Sequence, residues 1–510
     1  MMNWNDGYVS DIAYEGGVYR EQMPIHLDVA CLVAGYDRPV RAGEPFTYCE
    51  LGCGLGDTAM AVGAANSQAQ VWGFDFNPAH VARGRSVVAR TGLANVTLDE
   101  RAFEELADGA VADLPRFDYV TLHGVWSWVS PANRGHIVAF LRRYLKPGGL
   151  VSVSYNALPG WSGSLALQHL LYEGARRTGG SSDQRFREAL ELVRRVAGVG
   201  ETAIDPKLVQ ILEDLIKKEK FAYLSHEYLN EFWRPSFFAE VTSAMAGAKV
   251  DYVASANLLE NFPQVCMKPE QKDLVEALSP DLRQTVQDYF CPRTFRRDIF
   301  IRGPRRLAEP ARRARLREQR LTLAGWDGEI GREIDVPVGK ATLNEEFYAP
   351  ALQSLARGDS TVAELSEAAE PGTAPVPEEI LGMLVGGRLA YVARARPDPA
   401  AMARLRSYNL ARLEQFLVDA QHTGWIAGGT VGIVIRLELL PMLIYQVLAD
   451  SPDPDAPMDL PALVAGVEEC LRRNNLILRP KESDRTLDLD AEIAELLAKT
   501  VPIWRRAGAL

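Results

Sequence analysis

An alternation of strand-like and helix-like segments between residues 46 and 155 constrains the fold of this chain more than any other feature. The strands are predicted at 46–51, 70–75, 95–98, 117–122 and 149–155, and the helices between them at 56–65, 79–91 and 131–145. Strands that alternate with helices form parallel sheets, because each helix returns the chain to the same edge of the sheet. The pattern therefore predicts an α/β domain with a Rossmann-like sheet.

The chain then leaves this sheet and comes back to it. Residues 162–235 are predicted as a helical insertion, in which apolar residues repeat with helical spacing at Leu208, Ile211, Leu212, Leu215 and Ile216. The segments 249–257 and 295–302 are predicted as strands that rejoin the sheet, with a separate small α+β domain as the alternative. The first domain is thus expected to comprise residues 1–161 and 236–303.

Three further segments follow. Residues 304–339 contain a run of arginines and are predicted as a basic linker, residues 340–398 as a winged-helix-like domain, and residues 399–510 as a mainly helical domain. A helix that reads DNA needs Lys or Arg to contact phosphates and base edges. The second helix of the winged-helix-like segment instead carries Glu378 and Glu379, with no basic residue before Arg388. We therefore expect this segment to serve packing or interaction.

Composition excludes several classes of protein. A net charge of −11 over 510 residues argues against nucleic acid as a partner. The most apolar stretch, 425–449, is interrupted by Arg436, Glu438 and Pro441, so no membrane span is expected. The six cysteines form no CxxC pair and no Cys/His cluster, which predicts neither a metal site nor disulfides. With no visible secretory or transit signal at the N-terminus, we expect a cytoplasmic protein.

The first predicted strand ends in a glycine-rich turn, in the stretch "FTYCELGCGLGDTAM". Gly52, Gly54 and Gly56 alternate with other residues, and no Lys-Ser or Lys-Thr follows them, so the turn is not a P-loop. A dinucleotide-binding GxGxxG motif would place its third glycine at Asp57. The turn therefore predicts a ligand that lies against the backbone without a phosphate-binding lysine.

Two acids near this turn narrow the choice of ligand. Glu50 precedes the first glycine, and Asp75 ends the second predicted strand, where a carboxylate accepts hydrogen bonds from ribose hydroxyls. A ligand with an ammonium group near Glu50, a ribose near Asp75 and no phosphate fits S-adenosylmethionine. Phe76, Ala102 and Phe103 are placed to contact its adenine. The alternative is a Rossmann-like domain that binds NAD or no ligand.

With these residues in hand, the chain resembles class I S-adenosylmethionine-dependent methyltransferases. More narrowly, it resembles the bacterial family that joins such a domain to a methyltransferase regulatory domain. The narrower resemblance rests on "FDYVTLHGVWSWVSP", "LKPGGLVSVSYNALPGW" and "FAYLSHEYLNEFWRPSFFAEV", and weaker similarity continues to the C-terminus. The resemblance implies a sheet domain of the class I methyltransferase type.

This resemblance carries further implications. The best-understood members of the family methylate lysines of outer-membrane surface proteins, and they consist of a cofactor domain, a dimerisation insertion, a middle domain and a C-terminal domain. The same layout is implied here, with residues 162–235 as the contact of a homodimer. The cofactor-binding residues that the motifs imply are Glu50, Gly52, Gly54, Asp75, Phe76, Phe103 and His123.

The loop after the fourth predicted strand, "HGVWSWVSP", is expected to face the methyl donor, because ligands of open α/β sheets lie beyond the carboxyl ends of the strands. Trp126, Trp128 and Tyr155 are predicted to line an aromatic slot that tolerates cations, with core packing as the alternative. His123 is predicted to contact the cofactor or to assist proton removal, and Asn156 to orient the acceptor amine. Tyr8, Tyr14 and Tyr19 are candidates for a lid, and Tyr14 is also assigned to cofactor binding.

The sequence therefore predicts an S-adenosylmethionine-dependent methyltransferase that acts on lysine side chains of a protein. Two alternatives stay open: methylation of a small molecule or of a hydroxyl on a surface glycan, and a regulatory protein that binds the cofactor without catalysis. His226 and Glu227 in "SHEYL" do not form an HExxH motif, because position 230 is Asn. These two residues are expected to serve helix packing.

Overall fold

The central sheet of the protein has eight strands. The computed structural model describes residues 7–9, 11, 16–41, 43–218, 221–325, 331–419, 421–454, 456, 458–478 and 488–510. The strands are β1 (Thr47–Leu51), β2 (Gln70–Asp75), β3 (Val96–Glu100), β4 (Phe117–Leu122), β5 (Leu145–Leu158), β6 (Ser236–Phe237), β7 (Asp251–Ser255) and β8 (Phe295–Ile301). Their order in the sheet is β3-β2-β1-β4-β5-β8-β7, and β6 pairs with the end of β5.

The first five strands are parallel, as the alternating pattern predicts. The strand order reverses direction between β1 and β4, so their carboxyl ends border a crevice where open α/β sheets bind ligands. β8 and β7, which correspond to the strands predicted at 295–302 and 249–257, pair antiparallel at the far edge of the same sheet. The Rossmann-like fold predicted from the sequence is confirmed.

Local sequence signals set the ends of the flanking helices. These helices are α1 (Pro24–Val33), α2 (Asp57–Ala65), α3 (Pro78–Thr91), α4 (Phe103–Asp108) and α5 (Pro131–Tyr144). The side chain of Asn77 caps α3 by accepting a hydrogen bond from Ala79 N, and α3 ends at Gly92 in the left-handed conformation. Ser130 caps α5 in the same way. α5 leads directly into β5, which begins at Leu145. Gly148 N donates a hydrogen bond to Arg302 O, so residues 145–148 are already paired with the sheet.

The helical segment between β5 and β6 has a hydrophobic core of its own. It contains α6 (Leu165–Ala175), α7 (Ser182–Ala197), α8 (Pro206–Lys217) and α9 (Phe221–Leu229). Leu171, Phe186 and Leu212 are among its fully buried side chains. The stripe predicted on α8 is only partly buried, since Ile211 is 53% exposed.

The chain returns to the sheet through α10 (Phe238–Ala246), α11 (Pro269–Ala277) and α12 (Pro280–Phe290). The next part consists of α13 (Glu309–Arg317), β9 (Arg320–Leu323), β10 (Glu333–Val336), β11 (Gly339–Thr342), α14 (Glu345–Arg357), β12 (Ser360–Thr361), α15 (Val362–Glu367), α16 (Pro377–Gly386) and β13 (Ala390–Ala393). β12, β9 and β13 form a three-stranded antiparallel sheet beside α14, α15 and α16. The winged-helix assignment stays a prediction.

The segment predicted as a basic linker forms regular structure in its described residues. Leu316, Leu321 and Leu323 are buried and tie α13 and β9 to the core. The arginines of this segment form ion pairs within the chain: Arg305 and Arg315 pair with Asp37, and Arg312 with Glu378. Apolar residues between the arginines therefore give a packed helix and strand instead of a solvated linker.

The C-terminal part is largely helical, as expected, but it also contains a hairpin. Its elements are α17 (Pro399–Val418), β14 (Thr423–Gly428), β15 (Ile433–Glu438), α18 (Leu439–Ala449), α19 (Leu460–Arg473), α20 (Leu489–Lys499) and α21 (Val501–Arg506). Side chains of β15 alternate between buried and more exposed positions, the period of a strand. No helix in the described ranges is long and apolar enough to cross a membrane.

A buried cluster of charges joins the late strands to α12. The guanidinium of Arg296 is fully buried, donates to Asp288 and Asp298 at 2.7–3.1 Å, and lies 4.5 Å from the centroid of the Phe238 ring. Buried charges of this kind are tolerated only when they are paired, because the interior solvates them poorly.

Arg296→Met is therefore expected to lower the free energy of unfolding by about 3–5 kcal/mol, since the buried carboxylate of Asp298 loses its cation and that of Asp288 keeps only Arg293. The measurement is the midpoint of urea denaturation followed by circular dichroism. Arg313→Met, at an exposed position of α13, is the matched control and is expected to leave the midpoint unchanged. Equal midpoints for the two variants would contradict this role of Arg296.

Candidate active site

The glycine-rich turn links β1 to α2 at the carboxyl edge of the sheet. Gly52, Gly54 and Gly56 all have left-handed backbone, with φ of 66°, 55° and 76°, a conformation that favours glycine. A Cβ on Gly52 would lie 2.5 Å from Val125 Cγ2, so the turn also packs tightly against the loop after β4. A Cβ on Gly54 would meet no atom within 4 Å. The turn is therefore open at Gly54, where a ligand is able to approach the backbone.

Asp75 ties this turn to the next one. Its Oδ2 accepts a hydrogen bond from Gly54 N at 2.8 Å, and its Oδ1 accepts one from Asn77 N at 2.9 Å. His80 Nδ1 lies 3.8 Å from Oδ1. Each carboxylate oxygen has a further lone pair, so the side chain is able to hold the turn and to accept hydrogen bonds from a ligand at once.

Glu50 lies buried below the turn. Its Oε2 accepts a hydrogen bond from Ala59 N at 3.0 Å, which satisfies a backbone donor in the first turn of α2. Burial, with smaller contributions from Asp57 and Asp75, raises the pKa of Glu50 to about 8. The carboxyl is therefore mostly neutral at pH 7, and a cation beside it would favour the charged form.

A cavity of about 70 Å³ lies directly above these groups. Glu50, the glycine turn, Asp57, His80 and His123 line it from the sheet, and Gly16, Gly17 and Tyr19 line it from the N-terminal segment. The described part of this segment thus covers the carboxyl edge of the sheet. Tyr14 lies outside the described residues, so its predicted contact with the cofactor stays a prediction.

The residues predicted to contact adenine lie beside Asp75. β2 and β3 pair Asp75 with Glu100, and Ala102 and Phe103 follow at the start of α4. Phe76 is half-buried, and the ring of Tyr8 packs edge-on against it at 5.7 Å. The carboxyl ends of β2 and β3 therefore bring Phe76, Ala102 and Phe103 to the same side of the glycine turn.

His123 ends β4 and is held from two sides. Its Nδ1 lies 3.1 Å from Ser154 Oγ on β5, which also accepts a hydrogen bond from Gly124 N. The Tyr19 ring stacks on the imidazole at 3.6 Å. Burial, and to a smaller extent the charge of Arg297, lowers the pKa of His123 to about 3. The ring is thus neutral and far too weak a base to deprotonate an ammonium group.

Two of the three side chains predicted to line an aromatic slot, Trp126 and Tyr155, lie in the core. Trp126 packs in the hydrophobic core with the Arg134 guanidinium 5.6 Å from its ring centroid. Tyr155 is fully buried and donates to Asp298 Oδ2 at 2.6 Å, because alternate residues of β5 face opposite sides of the sheet. The structure corrects both assignments, since neither side chain reaches the cleft. The ring of Trp128 lies 6.2 Å from that of Tyr8, and its place in the predicted slot stays a prediction.

Asn156, on the same face of β5 as Ser154, has a partner that the sequence analysis assigned to packing. Its Nδ2 donates to Glu227 Oε1 on α9, and Trp233 Nε1 donates to the same oxygen at 3.2 Å. Burial raises the pKa of Glu227 to about 7, and the two hydrogen bonds partly oppose this shift. No local pattern marks this contact, because its partners are 71 positions apart in the chain.

Asp57 is a second residue whose role the sequence did not reveal. Arg412 Nη2 of α17 donates to Asp57 Oδ1 at 2.8 Å, and both side chains are buried. The guanidinium of Arg412 also packs against Phe416 and Trp425. The C-terminal part of the chain thus contacts the first residue of α2, directly after the glycine turn.

A larger cavity, of about 670 Å³, lies at the opposite edge of the sheet. It is lined near the start of β1 by Asp28, Asp37 and Phe46, and by Arg305 and Arg315. These two arginines pair with Asp37 and do not face the glycine turn. We assign the active site to the smaller cavity, because the crevice at the carboxyl ends of the strands is where such sheets bind ligands.

Comparisons with known proteins identify the family of this chain. Residues 49–151 match the family model of a methyltransferase domain, and residues 220–302 match that of a predicted methyltransferase regulatory domain. The protein sll1526 of Synechocystis sp. is 31% identical over 460 residues, which cover 88% of this chain and 90% of that protein. The protein RP789 of Rickettsia prowazekii is 24% identical over 298 residues, 57% of this chain and 52% of that protein.

A solved structure shares the whole fold. The structure of PKMT2 from Rickettsia typhi in complex with AdoHcy covers 98% of this chain and 99% of its own, with a TM-score of 0.68 and 16% sequence identity. The match to the methyltransferase domain confirms the predicted class of enzyme and its use of S-adenosylmethionine. The chain belongs to the class I S-adenosylmethionine-dependent methyltransferases that carry a methyltransferase regulatory domain.

Proposed function

We propose that this enzyme transfers methyl groups from S-adenosylmethionine to lysine side chains of a protein. The observation that carries the proposal is a carboxyl group, Glu227, on α9 beside a cleft whose rings include Tyr8, Tyr19 and Trp128. Aromatic faces attract cations, and a carboxylate pairs with one. The fold shared with PKMT2, a protein lysine methyltransferase, further supports a lysine acceptor.

The donor side of the site fits S-adenosylmethionine. Asp75 has lone pairs for the ribose hydroxyls, Glu50 provides a carboxyl for the ammonium group, and the open backbone at Gly54 admits the methionine part. The N-terminus of α2 favours the carboxylate of the ligand. The bound cofactor supplies an electrophilic methyl group on a positively charged sulfur.

The chain's own residues orient the reactants and exclude water. His123, neutral over the physiological range, contributes a hydrogen-bonding ring at the carboxyl end of β4. Tyr19 covers this ring, and Tyr8 covers Phe76. Such closure aligns the acceptor nitrogen with the methyl group and keeps water away from the reaction, the two contributions that a displacement at a methyl group needs.

We also propose that the helical insertion mediates a homodimer. Three apolar side chains on or next to α7 and α8 are exposed and available for such a contact, namely Val196 at 37%, Val199 at 87% and Ile211 at 53%. A cytoplasmic location and the absence of a nucleic-acid partner remain part of the proposal. The six cysteines are buried and unpaired, in keeping with a reducing compartment.

The acceptor is tested by incubating the enzyme and S-adenosylmethionine with bacterial extracts, followed by mass spectrometry. We expect methyl groups on lysine residues of peptides. Methyl groups found only on glycans or small molecules would contradict the lysine assignment and leave the methyltransferase assignment intact.

Asp75→Ala is expected to weaken binding of S-adenosylmethionine by about 10–100-fold, since hydrogen bonds that involve a charged group contribute about 1.5–3 kcal/mol. Isothermal titration calorimetry measures the change. Asp108→Ala, at the exposed end of α4, is the control and is expected to bind like the unmodified enzyme. Unchanged affinity in Asp75→Ala would place the ribose elsewhere.

Binding of S-adenosylmethionine is expected to release a proton at pH 7. Glu50 is mostly protonated below its pKa of about 8, and the ammonium group of the ligand favours its ionised form. The affinity therefore rises with pH, by up to about tenfold per pH unit below the pKa. Calorimetry in buffers of different ionisation enthalpy measures the proton release, and Glu50→Gln is expected to abolish it. If the binding heat of the unmodified enzyme is the same in all buffers, no proton is released. This result would contradict the contact between the ammonium group of the ligand and Glu50.

Ile211→Asp is expected to convert a dimer to a monomer, because it places a charge in the proposed apolar contact. Light scattering after gel filtration measures the mass. Val418→Asp replaces an apolar residue that is 71% exposed on α17 and should leave the mass unchanged. Dimers of unchanged stability in Ile211→Asp would locate the contact elsewhere.

A further inference from the structure

Glu227 occupies an unusual position for a carboxyl group. It is 5% exposed, and one of its oxygens, Oε1, accepts hydrogen bonds from Asn156 and Trp233. In the described part of the chain, no cation pairs with it and no hydrogen bond involves Oε2. A buried carboxylate that lacks a cation is costly, so the position suggests that a ligand supplies one.

The position of Asn156 locates Glu227 relative to the cofactor site. Asn156 follows Ser154 by two residues on the same face of β5, about 7 Å further toward the carboxyl end. Ser154 contacts His123, which lines the cavity above the glycine turn. Glu227 therefore lies beyond His123, on the side of the cleft from which an acceptor would approach.

Aromatic side chains connect Glu227 to this cleft. Burial, followed by the charges of Glu227 and Tyr19, raises the pKa of Tyr223 to about 12, so Tyr223 lies near both. Tyr19 stacks on His123. On the other side, the Tyr8 ring lies 5.4 Å from His226, the neighbour of Glu227. Aromatic rings therefore lie both against His123 in the cofactor cavity and against the neighbour of Glu227.

We propose that Glu227 binds the ammonium group of the acceptor lysine and takes a proton from it, with Asn156 as the positioning residue. This inference rests on the proposed function. One N–H bond of the ammonium breaks, an O–H bond forms at Oε2, and the nitrogen keeps the electron pair with which it attacks the methyl group. The ion pair becomes a neutral amine beside a neutral acid, which suits a cleft closed to water.

The two tyrosines near Glu227 on α9 do not compete with it as proton acceptors. Tyr223 and Tyr228 on α9 both have raised pKa values, so they are neutral acids at pH 7. His226 is on the same helix and packs against the ring of Tyr8, and Tyr19 from the N-terminal segment lies near Tyr223. No charged side chain in the described residues of α6, α7 or α8 pairs with Glu227. Its pKa of about 7 suits a group that accepts a proton at neutral pH.

Glu227→Gln is the direct test, because glutamine keeps the size of the side chain and an oxygen for Asn156. The probe is a pool of random lysine-containing peptides with labelled S-adenosylmethionine. We expect kcat/KM at pH 7 to fall by about 100-fold or more. In the unmodified enzyme kcat/KM rises about tenfold per pH unit up to about pH 7 and then levels off. In the variant it continues to rise toward the pKa of lysine, about 10.4.

Glu188→Gln removes a carboxylate from an exposed position of α7 in the same insertion and is expected to change neither rate nor pH profile. Calorimetric binding of S-adenosylhomocysteine with unchanged affinity shows that Glu227→Gln is folded. If that variant does not fold, Asn156→Asp provides the test. A second carboxyl beside Glu227 is expected to move the rising limb of the profile upward by about one pH unit or more.

A third readout needs no catalysis. Trp233 donates to Glu227, so its fluorescence is expected to change with a midpoint near pH 7. This change should be absent in Glu227→Gln and in Trp233→Phe. A titration that persists unchanged in Glu227→Gln would overturn the inference.

The outcomes separate the inference from the proposed function. Suppose that lysine is labelled, and that the unmodified enzyme and Glu227→Gln have equal rates and equal pH profiles. The role of Glu227 is then overturned, and the proposed function stands. If the unmodified enzyme labels no lysine in the peptide pool, the lysine assignment fails, and the inference that rests on it fails too. Loss of the plateau above about pH 7 in Glu227→Gln, where kcat/KM keeps rising, together with an unchanged profile in Glu188→Gln, supports both.

Discussion

The hydrogen bonds of one carboxylate, Asp75, hold the active site together. It accepts from Gly54 N in the turn after β1 and from Asn77 N in the turn after β2. Two adjacent parallel strands therefore end in turns that share one anchor. The glycine turn keeps its left-handed residues in place through this contact, and the cavity above it exists because both turns are fixed. Glu50 supports the same turn from below by satisfying the start of α2.

The rest of the chain completes the site from three directions. The N-terminal segment contributes Tyr8 and Tyr19, and the helical insertion contributes Glu227. The C-terminal part reaches the first residue of α2 through the buried pair of Arg412 and Asp57. A change in the packing of α17 therefore acts directly on the residue that follows the glycine turn. The N-terminal segment, the helical insertion and the C-terminal part therefore all contact residues of the proposed active site.

The sheet of residues 46–155 could be predicted because its strand and helix pattern follows from neighbours in the sequence. The positions of Glu50 and Asp75 beside the glycine turn are local in the same way, because both lie at the ends of neighbouring strands. Trp126 and Tyr155 were misassigned for the opposite reason. Proximity to a functional loop does not tell which face of a strand a side chain occupies, and Tyr155 faces Asp298 in the core. The ion pairs of the arginine run after β8 could not be predicted, because the acidic partner Asp37 is more than 250 residues away.

The sequence by itself determined the parallel sheet, the glycine turn and the pair of acids that define a methyltransferase for S-adenosylmethionine. Each of these depends on residues that are close in the chain. Only the tertiary structure decided which distant groups meet around this turn and at the end of β5. Glu227 meets Asn156 across 71 residues, and Arg412 meets Asp57 across 355. Such contacts arise when separately formed elements pack together. Asp57 occupies the position where a dinucleotide-binding motif would have glycine. Its carboxylate pairs with Arg412, a contact that only the folded chain reveals.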